Sequence, residues 1–170
     1  SGMQRIYEFG EKETRMLGIT ANERCLYVSS NLNGVSTVSK FSILSGKRTS
    51  RDIAGCIIDR LYAGENKVYG FGFRLEDETY ILYELDADSL RVLHRIDLKT
   101  PLGPADVLQK GDILYFSISA DLENYPKSRT RLGCYDTRNK KVTWLDFSSH
   151  KALKDIREYE NLLFLSHTQL

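Results

Sequence analysis

The sequence predicts an all-β fold in which four-stranded antiparallel sheets repeat along the chain. Nearly every apolar segment is short, rich in Val, Ile, Tyr and Phe, and bounded by turn-forming residues, which is typical of strands. An apolar-aromatic pair behind a polar turn recurs four times, in steps of 42, 46 and 49 residues. The four aromatic residues are Tyr27, Tyr69, Tyr115 and Phe164. A repeat of this length with four strands per unit is typical of β-propeller blades, and its regularity argues against a β-sandwich or a solenoid of hairpins.

A second aromatic position supports the four-strand unit. Phe41, Tyr83 and Tyr135 each open a short strand that leads into a polar turn and another strand. The first two lie 14 residues after the preceding repeat aromatic, and the third lies 20 residues after it because of a six-residue insertion. We therefore name the strands of one unit a, b, c and d.

The repeat predicts how the chain divides into blades. Residues 1–3 are excluded, since Ser1-Gly2 before Met3 is typical of a remnant of protease cleavage after expression. The predicted propeller segment is then 4–170, with 4–9 as strand d of an incomplete blade, 15–53 as blade 1, 56–98 as blade 2, 104–147 as blade 3, and 153–170 as strands a and b of the incomplete blade. Continuous apolar runs at 113–116 and 162–165 predict inner strands that are buried on both faces.

The turn between strands c and d resembles the repeat of the pyrroloquinoline-quinone-dehydrogenase-like propellers and of related YVTN-type propellers. In those repeats an Asp ends one strand, a Thr-Gly-Lys turn follows, and a Trp comes shortly afterwards. The segment from Tyr135 through Asp136-Thr137 to Trp144 is the best copy, while 44–47 and 86–90 match the turn only. The resemblance implies the fold, with the Trp packed between blades. It implies no cofactor, because the chain has one Trp and lacks a set of docking tryptophans.

The predicted units amount to about 3.75 blades, which leaves three interpretations open. The chain is a segment of a longer propeller, a closed four-bladed propeller in which 4–9 completes the last blade, or one half of a homodimer that forms a larger propeller. Each of them pairs strand edges that would otherwise stay exposed.

Composition excludes several classes of function. The 170 residues carry 24 Lys and Arg against 23 Asp and Glu, so the net charge of +1 predicts no nucleic-acid partner. No apolar run approaches the ~20 residues of a membrane helix. Three widely spaced cysteines indicate neither a disulfide framework nor a zinc site. The compartment stays open between the cytoplasm and the bacterial cell envelope.

The candidate binding surface is the rim formed by the b–c and d–a loops. The insertion at 120–131 is the longest b–c loop, and long loops on a rigid scaffold often carry function. Its aromatic and basic residues suit a protein or a small anionic ligand, although the same charges would also keep a hairpin tip soluble. The candidate residues of this rim are Asp121, Tyr125, Lys127, Arg129, Arg131, His150 and His167.

These observations favour a non-catalytic binding or scaffolding module that uses no cofactor. The alternative is a hydrolase or lactonase with a metal held by loop carboxylates and a His. His150 and His167 lie near one rim, but surface histidines explain them equally well, and the sequence contains no nucleophile elbow or nucleotide-binding motif.

Overall fold

The computed structural model describes residues 15–148, 151–160 and 162–169, and the chain divides into two compact units. Unit 1 ends at Lys99 and unit 2 begins at Thr100. The described residues form fourteen β-strands. None of them belongs to a helix that could cross a membrane.

Unit 1 consists of two four-stranded antiparallel sheets in which neighbouring strands follow chain order. Sheet 1 contains β1 (Met16–Ala21), β2 (Cys25–Leu32), β3 (Val35–Ser42) and β4 (Arg48–Ala54). Sheet 2 contains β5 (Cys56–Ala63), β6 (Lys67–Arg74), β7 (Thr79–Asp86) and β8 (Val92–Asp97). Each sheet is thus one up-and-down meander, which is the arrangement of a propeller blade.

Unit 2 repeats the meander once and adds a hairpin. Sheet 3 contains β9 (Asp106–Lys110), β10 (Ile113–Ile118), β11 (Arg131–Asp136) and β12 (Lys141–Asp146). The hairpin pairs β13 (Lys151–Tyr159) with β14 (Leu162–Gln169). The predicted fold class, all-β with four-stranded antiparallel blades of the propeller type, is confirmed. The strand predicted at 4–9 lies outside the described residues.

The same five-residue turn joins strands c and d in all three four-stranded sheets. Its fifth residue has a positive φ, and the backbone N–H of that residue donates to the carbonyl of the first at 2.8–2.9 Å. The three turns run from Ser42 to Gly46, from Asp86 to Leu90, and from Asp136 to Lys140. In the last two the first residue is Asp, whose carboxylate accepts backbone N–H groups within the turn and thereby closes it.

The core of unit 1 lies between its two sheets. Tyr27, Val38, Cys56 and Leu85 are all almost completely buried and belong to one apolar cluster. Buried polar groups also bridge the sheets: the Ser36 hydroxyl donates to the Cys56 carbonyl at 3.1 Å and accepts the Ile58 N–H at 2.8 Å. Such hydrogen bonds favour this one packing of the two sheets, because any other packing would leave the buried polar groups without partners.

In unit 2, the hairpin packs against sheet 3 through β13. The Asp106 carboxylate accepts the Ile156 backbone N–H at 2.8 Å, and the Ser119 hydroxyl donates to the Leu153 carbonyl at 2.9 Å. The prediction that 162–165 is buried on both faces is wrong: Leu162 is 63% exposed and Phe164 is 51% exposed. Among the described residues β14 pairs only with β13, so its other edge is unpaired, and the face that carries Leu162 and Phe164 is exposed.

Candidate functional site

The loop between β10 and β11, residues 119–130, is the longest connection between strands b and c in the described residues. The corresponding connections are the two-residue turn Asn33-Gly34 in sheet 1 and residues 75–78 in sheet 2. Asn33 and Gly34 both have positive φ, as the tightest hairpin turns require. Sheet 3 has twelve residues at this place, enough to present side chains instead of merely reversing the chain.

Hydrogen bonds within the loop fix its conformation. The Tyr125 N–H donates to the Asp121 carbonyl at 2.8 Å, and the Ser128 N–H donates to the Tyr125 carbonyl at 2.8 Å. The Asp121 N–H in turn donates to the Ser128 hydroxyl at 2.9 Å, which ties the two sides of the loop together. The loop is therefore a folded element.

Asp121 organises the first turn of this loop through its side chain. Its two carboxylate oxygens accept the backbone N–H of Asn124 at 3.1 Å and the side-chain amide of Asn124 at 2.9 Å. Hydrogen bonding from the Asn124 side chain, and then from its backbone, lowers the pKa of Asp121. The carboxylate is thus engaged within the turn, and the structure gives it a positioning role.

The base of the loop is held by Arg131 and Thr130. Arg131 Nε donates to Asp146 Oδ1 at 2.9 Å, and its guanidinium lies 4.3 Å from the centroid of the Trp144 ring. Thr130 is fully buried; its hydroxyl accepts the Ala120 N–H at 2.9 Å. Arg131, predicted as part of the small basic cluster of this rim, is 26% exposed and clamps the loop to strand β12.

Tyr125, Lys127 and Arg129 are the aromatic and basic residues that the loop leaves exposed, beside Leu122 and Glu123. Tyr125 is 36% exposed and Lys127 is exposed. Arg129 keeps 70% of its side chain accessible and makes only a long ion pair, 3.5 Å, with Asp146. One aromatic and two cations therefore project from a backbone that is already ordered.

Of the two histidines predicted near the rim, the structure describes one. His150 lies outside the described residues. His167 is exposed on β14, opposite Leu153, whose carbonyl accepts the Ser119 hydroxyl at the start of the loop; His167 thus lies at the same end of unit 2 as the loop. No group of three or more His, Cys, Asp or Glu suited to a metal occurs among the residues described.

Other groups with shifted pKa values are structural. The Asp59 carboxylate accepts the Tyr80 hydroxyl at 2.5 Å across sheet 2, and burial raises the pKa of Asp59. Burial also raises the pKa of the Cys56 and Cys134 thiols, so neither is poised as a nucleophile at neutral pH.

Sequence reasoning missed a concentration of arginines in unit 1. Arg51 on β4 and Arg91 and Arg95 at β8 line one cleft, although about 40 residues separate the two strands in the chain. The signal in the sequence is only the polar character of the outer strands, which any solvated sheet edge would share.

Comparisons with known proteins show a likeness of fold. The chain resembles the uncharacterized protein lmo1340 from Listeria monocytogenes EGD-e, with a TM-score of 0.61 and 10% identity over 93% of this chain and 51% of that one. It also matches BamB from Moraxella catarrhalis with a TM-score of 0.49 and 11% identity, over 81% of this chain and 54% of BamB. Cobalt-substituted Synechocystis ACO matches with a TM-score of 0.49 and 10% identity, over 82% of this chain and 39% of ACO.

The chain thus spans about half the length of the first two of these proteins and less of the third. No protein-family model and no curated protein sequence matches it. The fold is that of an all-β chain built from propeller-type blades. The particular type of repeat that the c–d turn resembles stays a prediction.

Proposed function

We propose that this chain is a non-catalytic binding module of a larger propeller protein and that loop 119–130 binds an acidic segment of a protein partner. The observation that carries the proposal is the combination of a hydrogen-bonded loop backbone with the exposed side chains of Tyr125, Lys127 and Arg129. A loop that is ordered before binding loses little conformational entropy in the complex.

The three exposed side chains supply complementary contacts. A tyrosine offers a rigid apolar body with a polar tip, and such residues anchor many protein interfaces. Lys127 and Arg129 would form charge-assisted hydrogen bonds with Asp or Glu of the partner. Asp121 and Arg131 would act as positioning residues, because their side chains hold the loop and its base.

His167 would extend this surface at the same end of unit 2, and His150 stays a prediction because it lies outside the described residues. The predicted homodimer likewise stays a prediction. Both are separable from the loop, whose hydrogen bonds stay within unit 2, at residues 119–147 and at Leu153.

The test measures binding of a fluorescein-labelled, glutamate-rich peptide by fluorescence anisotropy. We expect wild-type protein to bind it, and the Lys127→Ser/Arg129→Ser variant to bind at least about tenfold more weakly, since each lost charge-assisted hydrogen bond is worth about 1.5 kcal/mol or more. Tyr125→Ala should also weaken binding. Arg138→Ser is the matched control for the single variant Arg129→Ser, since each removes one exposed arginine that has a carboxylate partner: Arg138 pairs with Asp112, has 77% of its side chain accessible and lies in the turn between β11 and β12.

Two results would contradict the proposal. One is wild-type protein that does not bind the acidic peptide. The other is an equal loss of binding in Arg129→Ser and in Arg138→Ser, which would mean that overall charge, and not this loop, attracts the peptide.

A further inference from the structure

Two adjoining clefts form one groove along the outer strands β4 and β8 of unit 1. The smaller has a volume of about 440 Å³, and the larger a volume of about 760 Å³. Ala54 and Arg95 line both clefts, so the two adjoin. The groove lies in unit 1, whereas the loop discussed above lies in unit 2.

The smaller cleft has an excess of positive charge. Arg51, Arg91 and Arg95 line it, and the carboxylate of Asp52 is the one negative group in its lining. Within the described part of the chain, Arg51 and Arg91 are exposed and neither makes an ion pair. The Asp52 carboxylate accepts the Thr37 hydroxyl at 2.7 Å. The lining thus presents three guanidinium groups against one carboxylate.

Arg95 is held in place by the floor of the groove. It lies directly opposite Tyr83 in the register of β7 and β8, and its guanidinium is 5.9 Å from the centroid of the Tyr83 ring. Tyr83 is only 3% exposed, so the ring is fixed by the packing of sheet 2. Stacking on a fixed ring restricts the guanidinium while its N–H groups stay available for a ligand.

The larger cleft differs in its charge balance. Its second arginine, Arg74, forms ion pairs with Asp77 and, at 3.0 Å, with Asp97. That guanidinium is therefore already neutralised by two carboxylates. The available positive charge of the groove is concentrated in the smaller cleft, and the larger cleft offers room for the uncharged part of a ligand.

We propose that the groove binds a small phosphate monoester, with its phosphoryl group among Arg51, Arg91 and Arg95. A phosphate monoester is close to a dianion at neutral pH and has three terminal oxygens, so it matches several guanidinium forks better than a single carboxylate does. The side chains of Ile53 and Val92 supply apolar wall beside the arginines. The site is independent of the loop 119–130.

The test is a titration of isotope-labelled protein with glycerol 3-phosphate at constant ionic strength, followed by amide NMR. We expect saturable shifts of amide signals in β4 and β8. The Arg91→Gln/Arg95→Gln variant should bind at least about tenfold more weakly, because it removes two charged donors. Lys47→Gln, at an exposed position in the turn between β3 and β4, is the control and should keep the wild-type affinity. Circular dichroism verifies that each variant is folded.

Further titrations distinguish the chemistry of the ligand. Inorganic phosphate should shift the same signals, whereas glycerol should not. Acetate that binds as tightly as glycerol 3-phosphate would overturn the assignment to a phosphoryl group. The site itself would be overturned by wild-type protein that shows no saturable shift, or by Lys47→Gln losing as much affinity as the arginine variant.

Discussion

Replacing Gly133 by Ala should destabilise sheet 3, because the side chain of Phe116 fills the space above this glycine. Phe116 on β10 lies opposite Gly133 on β11, which in turn lies opposite Trp144 on β12. A Cβ at position 133 would lie 2.7 Å from Phe116 Cε1 and closer still to Cε2 and Cζ. The backbone of Gly133 is outside the left-handed region, so an alanine would clash only through its side chain.

The expected loss follows from how tightly Phe116 is held. Its side chain is fully buried, and its ring packs edge-on against Trp144, with centroids 5.4 Å apart and planes at 84°. Overpacking at such a site costs about 1–3 kcal/mol, and we take the upper half of that range because the ring has no free space to move into. Alanine in a strand regains about 0.5–1 kcal/mol relative to glycine. The net loss of unfolding free energy is therefore about 1–2.5 kcal/mol.

Urea unfolding followed by Trp144 fluorescence measures this loss, since Trp144 is the one tryptophan of the chain and contacts Phe116. With a urea dependence of the unfolding free energy of about 1–3 kcal/mol per M, the midpoint should fall by about 1 M. In a Phe116→Leu background, which replaces the ring by a smaller and more adaptable side chain, the penalty for alanine should shrink. A Gly133→Ala midpoint equal to or above that of wild type would refute the steric argument.

Three further predictions concern charge and burial in unit 1. Lys67→Met should lower the free energy of unfolding by about 3 kcal/mol, because the buried Glu84, which is 2% exposed, loses the cation that lies 2.6 Å away. An unchanged urea midpoint would contradict this. Arg74→Gln should raise the pKa of Asp77 from about 2, where hydrogen bonding to Arg74 holds it, toward ~3.9, as NMR titration would show. Because the folded pKa is depressed, wild type keeps this stabilisation above pH ~4 and loses it as the pH falls through about 2. Cys56 should react with a thiol reagent only on unfolding, since it is fully buried and burial raises its pKa; rapid labelling of native protein would contradict this.

The fold class could be predicted because its determinants are local in the chain. A strand of six to eight residues and a tight turn each leave a pattern that can be found without knowing the neighbours. The turn that begins at Asp136 is an example: its carboxylate accepts the N–H groups of Arg138 and Asn139, two and three residues onward. The exposure of Leu162 and Phe164 could not be predicted, because burial depends on what lies against the face of β14.

For the candidate site, too, features that depend on contacts between distant segments could not be predicted from the sequence. The long b–c loop was predicted at 120–131 from its length and is observed at 119–130, where Lys127 and Arg129 are exposed. The contacts of Arg131, unlike the exposure of those two residues, could not be predicted, because they are made with Trp144 and Asp146 on the neighbouring strand. The arginine groove was not predicted, because it forms where β4 and β8 come together. These two outer strands belong to different sheets and are far apart in the sequence.

The order of strands within each sheet has a consequence for how the protein folds. Every strand pair in the described sheets joins strands that are neighbours in the chain, so no pairing has to wait for a distant segment. Proteins whose contacts are close in sequence fold faster than those that must close long loops. For an all-β chain, refolding should therefore be rapid. During synthesis, each four-stranded sheet can pair all its strands once its own last strand has been made.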